Sequence, residues 1–173
     1  MSRGITPRIA AAAFAVMCFT GAQYLGDRMS IDVPDAWTAQ GPAQDGLVTF
    51  TEPGGMANCN IQTVDSSDLA KLSIDEINKE TAHAYSAAEY ADLLGQEPSA
   101  ISLVSSEIQP FADAWFHIAT FRFQTTDGPE VSIRFAFYIL PGRISMAGCY
   151  ASSADFAKYD SLFDKTIKSF RPW

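Results

Sequence analysis

The chain has 173 residues, 47% apolar and 18% charged, which excludes a disordered tail, a collagen or a repeat array and fits one globular domain. A formal charge of −8 makes it a poor holder of phosphate backbones, so nucleic acid is not an expected partner. It contains no apolar run of roughly 18 residues, so no transmembrane helix is expected.

Arg3 and Arg8 stand before the apolar stretch Ile9–Phe19, which is too short to span a bilayer. Thr20-Gly21-Ala22 follows with small residues at cleavage-site spacing. This reads as a secretory signal over 1–22, cut after Ala22, leaving 23–173 as one domain in the periplasm or outside the cell. The competing reading is an apolar first helix of the domain, but Ile9–Phe19 has no polar face. Cys18 lies inside the stretch, and Ala15-Val16-Met17 before it is a poor match to a lipoprotein signal.

Two cysteines remain, Cys59 and Cys149. An exported chain with an even count implies one disulfide, for which the chain-entropy account gives roughly 4–5 kcal/mol as an upper bound. The alternative is two buried free thiols. Neither has a partner at metal-ligand spacing, so no metal is expected.

Met29, Ile31 and Val33 alternate with Ser30 and Asp32 and stop at Pro34, the pattern of a short strand near an edge. Asp45-Gly46 turns the chain into a strand over Leu47–Thr51, and Cys59, Ile61 and Thr63 alternate as a third strand. The period then changes. Ser73 and Glu76 form a capping box, apolar residues recur at threes and fours from Ile74 to Leu94, and Gly95 supplies the stop, which predicts one alanine-rich helix. Ile101–Ile108, Trp115–Gln124, Val131–Leu140 and Arg143–Tyr150 read as strands, the last three joined by short loops into an antiparallel meander.

In Val131–Leu140 one face carries Val131, Ile133, Phe135, Phe137 and Ile139, and Ala136, Tyr138 and Leu140 crowd the other. Phe116 and Ile118 likewise sit opposite Trp115, Phe121 and Phe123. A sheet with one wet face would alternate cleanly, so this one is expected to be covered at least partly on both sides. The last helix supplies a cover. Ser152 and Asp155 look like its capping box, and Phe156, Tyr159, Phe163, Ile167 and Phe170 form one stripe before Pro172. At about 1.5–3 kcal/mol each, these five side chains represent roughly 8–15 kcal/mol of gross burial. The fold class is therefore α+β.

The step Val33-Pro34-Asp35-Ala36-Trp37 near the start, the ending Phe163-x-x-x-Ile167-x-Ser169-Phe170, and the element order between them resemble the PsbP-like family. The resemblance runs from about Tyr24 to Pro172. It implies an α-β-α sandwich with a central antiparallel sheet flanked by helices, and a role as a binding or assembly accessory. No interaction motif of the family can be matched residue by residue.

Chemistry is sparse. The chain has two histidines. His83 falls on the solvated face of the expected first helix, beside Glu76, Lys79 and Tyr90. His117 falls on an apolar strand between Trp115 and Ala119, where it reads either as a core histidine or as a base of shifted pKa. Asp65-x-x-Asp68 with Asp75 and Glu76 lacks the glycine and alternation of a calcium loop. H-E-x-x-H, G-x-S-x-G, Walker A and G-x-G-x-x-G are absent. Cys59 as a nucleophile with His117 or His83 would be disarmed by a bond to Cys149. Twelve Phe, six Tyr and three Trp exceed what the stripes consume, so Phe111, Trp115 or Trp37 either line a pocket or partner surface or fill the core.

These readings predict an exported, soluble, non-catalytic binding or assembly accessory domain that acts on an envelope protein, with no catalytic residue, metal or cofactor. The alternatives are a carrier of a small apolar ligand and a hydrolase-like enzyme using His117.

Overall fold

The structure, a computed structural model, describes residues 23–26, 28–34, 36–43, 46–124 and 128–173. The expected leader and Cys18 lie outside the described residues, as do Asp45 and residues 125–127 of the expected turns at 45–46 and 125–129. From the N-terminal side the chain forms β1 (Gln23–Leu25), β2 (Met29–Asp32), β3 (Thr38–Gln40), β4 (Val48–Thr51) and β5 (Ala57–Asp65). Two short helices follow, α1 (Ile74–Thr81) and α2 (Ala87–Leu93). Then come β6 (Ile101–Phe111), β7 (Ala114–Gln124), β8 (Glu130–Leu140), β9 (Arg143–Ser152), α3 (Phe156–Ser169) and β10 (Arg171–Pro172).

Short hairpins join β6 to β9 into an antiparallel meander, and β5 pairs with β9 along its whole length. The result is a seven-stranded antiparallel sheet in the order β3-β4-β5-β9-β8-β7-β6, so the protein is α+β with a large antiparallel sheet. Its outer strand β6 carries a register shift between Leu103 and Ser105, and Pro110 near its end. A second sheet has the order β1-β2-β10. The strand at Met29, expected near an edge, is instead the middle of this small sheet, with Ile31 fully buried. Pro172, expected only to stop the last helix, pairs with Met29 from the outer strand β10, a position where its missing N–H costs nothing.

Alternation sorts the side chains onto two faces. Phe116 and Ile118 of β7, Ala136 and Tyr138 of β8, and Ala147 and Cys149 of β9 share one core with Phe163, Ile167 and Phe170. Ala119 and Phe121 of β7 and Phe135 and Phe137 of β8 share another with Tyr90 and Ala91 of α2. The two cores take opposite parities of the same strands, so apolar residues cover both faces of the central strands. On the first face Trp37 meets Phe163 edge-on at 6.5 Å, which brings the two ends of the family-like pattern into contact. Ser169 of α3 ties the small sheet down, its Oγ accepting the Asp32 N–H at 2.7 Å.

Two local expectations fail for identifiable reasons. The single helix over Ile74–Leu94 is broken at 82–86. Ser73 and Glu76 do form a capping box, but Ser86 and Glu89 form a second one, and a chain cannot run helically through an N-cap. Tyr90, expected on a wet face with His83, is rotated into the core and fully buried. Ser152 and Asp155 bond each other reciprocally at 2.8 and 3.2 Å, yet α3 begins at Phe156. The pair closes the turn ahead of the helix and leaves the helix start uncapped by a side chain.

Cys59 and Cys149 are directly opposed on β5 and β9 and are joined by a disulfide across a sequence separation of 90. Mass spectrometry under non-reducing conditions is expected to find them linked in the native protein, and reduction to cost roughly 2–4 kcal/mol of stability; alkylation of both thiols would contradict the bond. Replacing Ser86 by Ala is expected to cost about 1 kcal/mol, with faster amide exchange over 87–93 and none over 74–81, read by hydrogen–deuterium exchange.

Candidate functional site

The face that holds Tyr90 is covered unevenly. Tyr90 lies 6.0 to 6.4 Å from the rings of Phe121, Phe135 and Phe137, so α2 seals the sheet over β7 and β8. Over β9 and β5 the same face carries a trough of about 270 Å³. Phe121, Ile133 and Phe135 form one wall, Met146 and Tyr150 stand along β9, and Leu94 and Leu47 close the sides.

Gly148 makes the trough. It sits on β9 directly between Phe135 of β8 and Asn60 of β5. A Cβ at this position would reach the Phe135 ring at 3.4 Å and Ile133 Cγ2 at 3.8 Å, so any larger side chain would occupy the floor. Asn60 and Gln62 are the polar residues of the lining. Asn60 Oδ1 is buried without a hydrogen-bond partner among the described residues, a lone acceptor on a residue of the lining.

The aromatic residues singled out in the sequence lie elsewhere. Trp37 is core. Phe111 packs at 5.4 Å on Tyr138, with the Arg171 guanidinium 4.7 Å from its ring centre. Trp115 lines a separate hollow with Ile74, Asn78 and Pro110. Gly148 is the residue that sequence reading missed. Its signal was present as a gap between Met146 and Tyr150 on the face opposite Ala147 and Cys149.

The acidic residues are used locally. Asp65 pairs with Arg28, Asp68 with Lys71 at 2.7 Å, and Glu76 caps α1. Among the described residues no group of three or more His, Cys, Asp or Glu is placed to hold a metal ion. His83 stands in the break after α1, not on a helix, and its Nε2 lies 2.7 Å from Glu89 Oε1 while its ring stacks on Tyr85. The Ser86 backbone N–H, followed by His83 and the Ser86 hydroxyl, holds the Glu89 carboxyl down to about 2.

His117 is 1% exposed, stacked at 4.5 Å on Phe137 and tilted at 4.8 Å against Tyr85. Neither ring nitrogen has a hydrogen-bond partner among the described residues, and it lines neither the trough nor the hollow at Trp115. A general base needs access to its proton and a group that orients it, and His117 has neither here. Burial, with a smaller push from His83, lowers its pKa from 6.5 to about 4.

That shift has a direction in stability. Above pH 6.5 the ring is neutral in folded and unfolded chains alike. As pH falls from 6.5 to about 4 the unfolded chain takes up a proton that the fold refuses, so stability drops, levelling at a loss of about 3 kcal/mol. Denaturant midpoints measured across this window are expected to fall more steeply for the native protein than for His117→Phe; parallel curves would show that the buried ring does not titrate as described.

No family model matches the chain, and no curated protein matches it. Solved structures do. The cyanobacterial PsbP protein of Synechocystis sp. PCC 6803 superposes with a TM-score of 0.59 at 14% identity, covering 95% of this chain and 99% of that one. The PA94 protein of unknown function from Pseudomonas aeruginosa gives 0.54 at 16% identity, over 90% of this chain and 99% of its own. A Bacteroides thetaiotaomicron protein gives 0.52 at 12% identity, over 90% of this chain and 49% of its own. The chain has the PsbP-like fold.

Proposed function

We propose that residues 23–173 form one exported, non-catalytic accessory domain of α-β-α sandwich arrangement, which seats an apolar group of an envelope protein in the trough over Gly148. The observation that carries this reading is the trough itself, a concave apolar surface beside a single unpartnered acceptor on Asn60. Met146, Tyr150 and Leu94 at its margin are half-exposed, so a side chain projecting from another protein can reach the floor. The leader-like segment and the Cys59–Cys149 bond support an oxidising compartment. The buried, unpartnered His117 lends the hydrolase alternative no support.

A second reading, a carrier of a small apolar molecule, is favoured by the apolar lining of the trough. About 270 Å³ lies just below the range of roughly 300–1,000 Å³ seen for small-ligand sites.

Two substitutions separate these readings. Gly148→Leu fills the trough and Met146→Glu places a charge in it. A photo-crosslinking residue at Leu94 is expected to capture an envelope protein in cells, and Gly148→Leu to lower that yield at least roughly ten-fold while thermal stability changes little. An equal yield from a crosslinker on the opposite side of the sheet would sink the reading. An apolar small molecule retained in native mass spectrometry, and lost in both variants, would establish the carrier instead.

A further inference from the structure

The opposite face of the sheet has an opening of different character. It lies between α3 and strands β6–β8 and measures about 450 Å³. Register places Thr120 and Arg122 of β7 opposite Arg134 and Ser132 of β8, with Ser105 of β6 beyond Thr120. Ser153, Phe156 and Asp160 line it from the helix side. Its floor is polar and deep, with Thr120 and Ser132 8% and 5% exposed. Ser132 Oγ and Ser153 Oγ share a hydrogen bond of 2.8 Å. Thr120 Oγ1 and Arg134 Nε are buried and have no hydrogen-bond partner among the described residues. Unpaired buried groups are few in native proteins, and two of them belong to residues that line this one cleft.

Charge decides what the cleft can take. Arg134 Nη2 donates to Asp160 Oδ1 at 2.9 Å, and its Nη1 lies 3.4 Å from Asp164 Oδ1, so its positive charge is already answered. Arg122 Nε lies 3.9 Å from Glu130. An anion would be set against the Asp160 carboxylate, and a cation against two guanidinium groups. What remains unspent is a mixed set of donors and acceptors with no net sign. Arg134 Nε–H donates, the Thr120 hydroxyl both donates and accepts, the serine hydroxyls have spare lone pairs, and Asp160 accepts. Neighbouring hydroxyls on a ring satisfy such a set, because each gives and receives a hydrogen bond. Phe156, Ala157 and Val104 supply the apolar wall that the C–H face of such a ring needs.

The geometry points to a binding site for a neutral saccharide in the cleft between α3 and β6–β8, its hydroxyls on Thr120, Arg134 and Ser132 and its apolar face toward Phe156. The site lies on the other face from the trough and does not depend on it.

Nuclear magnetic resonance titration of the purified protein tests this with glucose, N-acetylglucosamine, maltose and chitobiose, and with inorganic phosphate as the anion. At least one sugar is expected to shift the amides of Thr120, Ser132 and Ser153 saturably, while phosphate does not compete. A disaccharide binding more tightly than its monomer assigns the site to a saccharide chain, and equal affinity assigns it to a free sugar. Thr120→Val is expected to weaken binding roughly ten-fold, the effect of one lost hydrogen bond to a buried group. Ala157→Trp, on the exposed side of α3, is expected to block it. Both variants should keep the thermal midpoint. Three results would overturn the proposal: no sugar in the panel binding, binding unchanged in both variants, or phosphate displacing the sugar.

Discussion

Strands β7 and β8 carry large apolar side chains at both parities, and the rest of the molecule is arranged to accommodate that. Phe116 and Tyr138 stack at 4.6 Å on one side of the sheet, and Phe121 and Phe135 pack at 6.0 Å on the other. Each such ring represents about 1.5–3 kcal/mol of burial, so neither side can be left to water. The fourteen-residue helix α3, with the small sheet beneath its end, covers the first side. On the second side the helical cover over the core is α2, seven residues long, because the Ser86 cap divides the helical segment in two. A short cover over a wide sheet leaves part of that sheet open.

The two openings follow from this asymmetry and differ in kind. Over β9 the open face is floored by a glycine and walled by phenylalanine, isoleucine and methionine, which repels water. Beneath the start of α3 the same strands show threonine, serine and arginine, with their charges already paired. His117 belongs to neither and is packed among Tyr85, Phe137 and the break between α1 and α2. Fold alone does not choose among uses for such surfaces, which is why the functional argument rests on Gly148 and Asn60 in one case and on Thr120 and Arg134 in the other.

Much of the architecture was legible in the sequence. The meander, the two-sided strands and the last helix follow from alternation and turn chemistry, and the cysteine pair from the even count left beyond the leader-like segment. Two kinds of feature were not legible. One was competition between signals: Ser86-x-x-Glu89 is as good a helix start as Ser73-x-x-Glu76, but it lies inside a continuous apolar period that hides it. The other was spatial convergence. Gly148 reads as a weak point in a strand until Phe135 and Asn60 are known to flank it. Thr120 reads as an ordinary strand residue until Arg134 and Ser153 arrive from elsewhere in the chain. The strand at Met29 was expected near an edge and lies between two others, because one partner, Arg171–Pro172, comes from the far end of the chain and looks like a helix stop.

The register slip at Leu103–Ser105 has a consequence for solubility. A long, flat outermost ribbon would offer its free amide and carbonyl groups to any identical molecule it met. Here the slip bends the ribbon partway along, Pro110 withholds a donor near one tip, and Glu107 lies between them. Copies of this protein are thereby discouraged from zipping edge to edge into fibres, even when crowded.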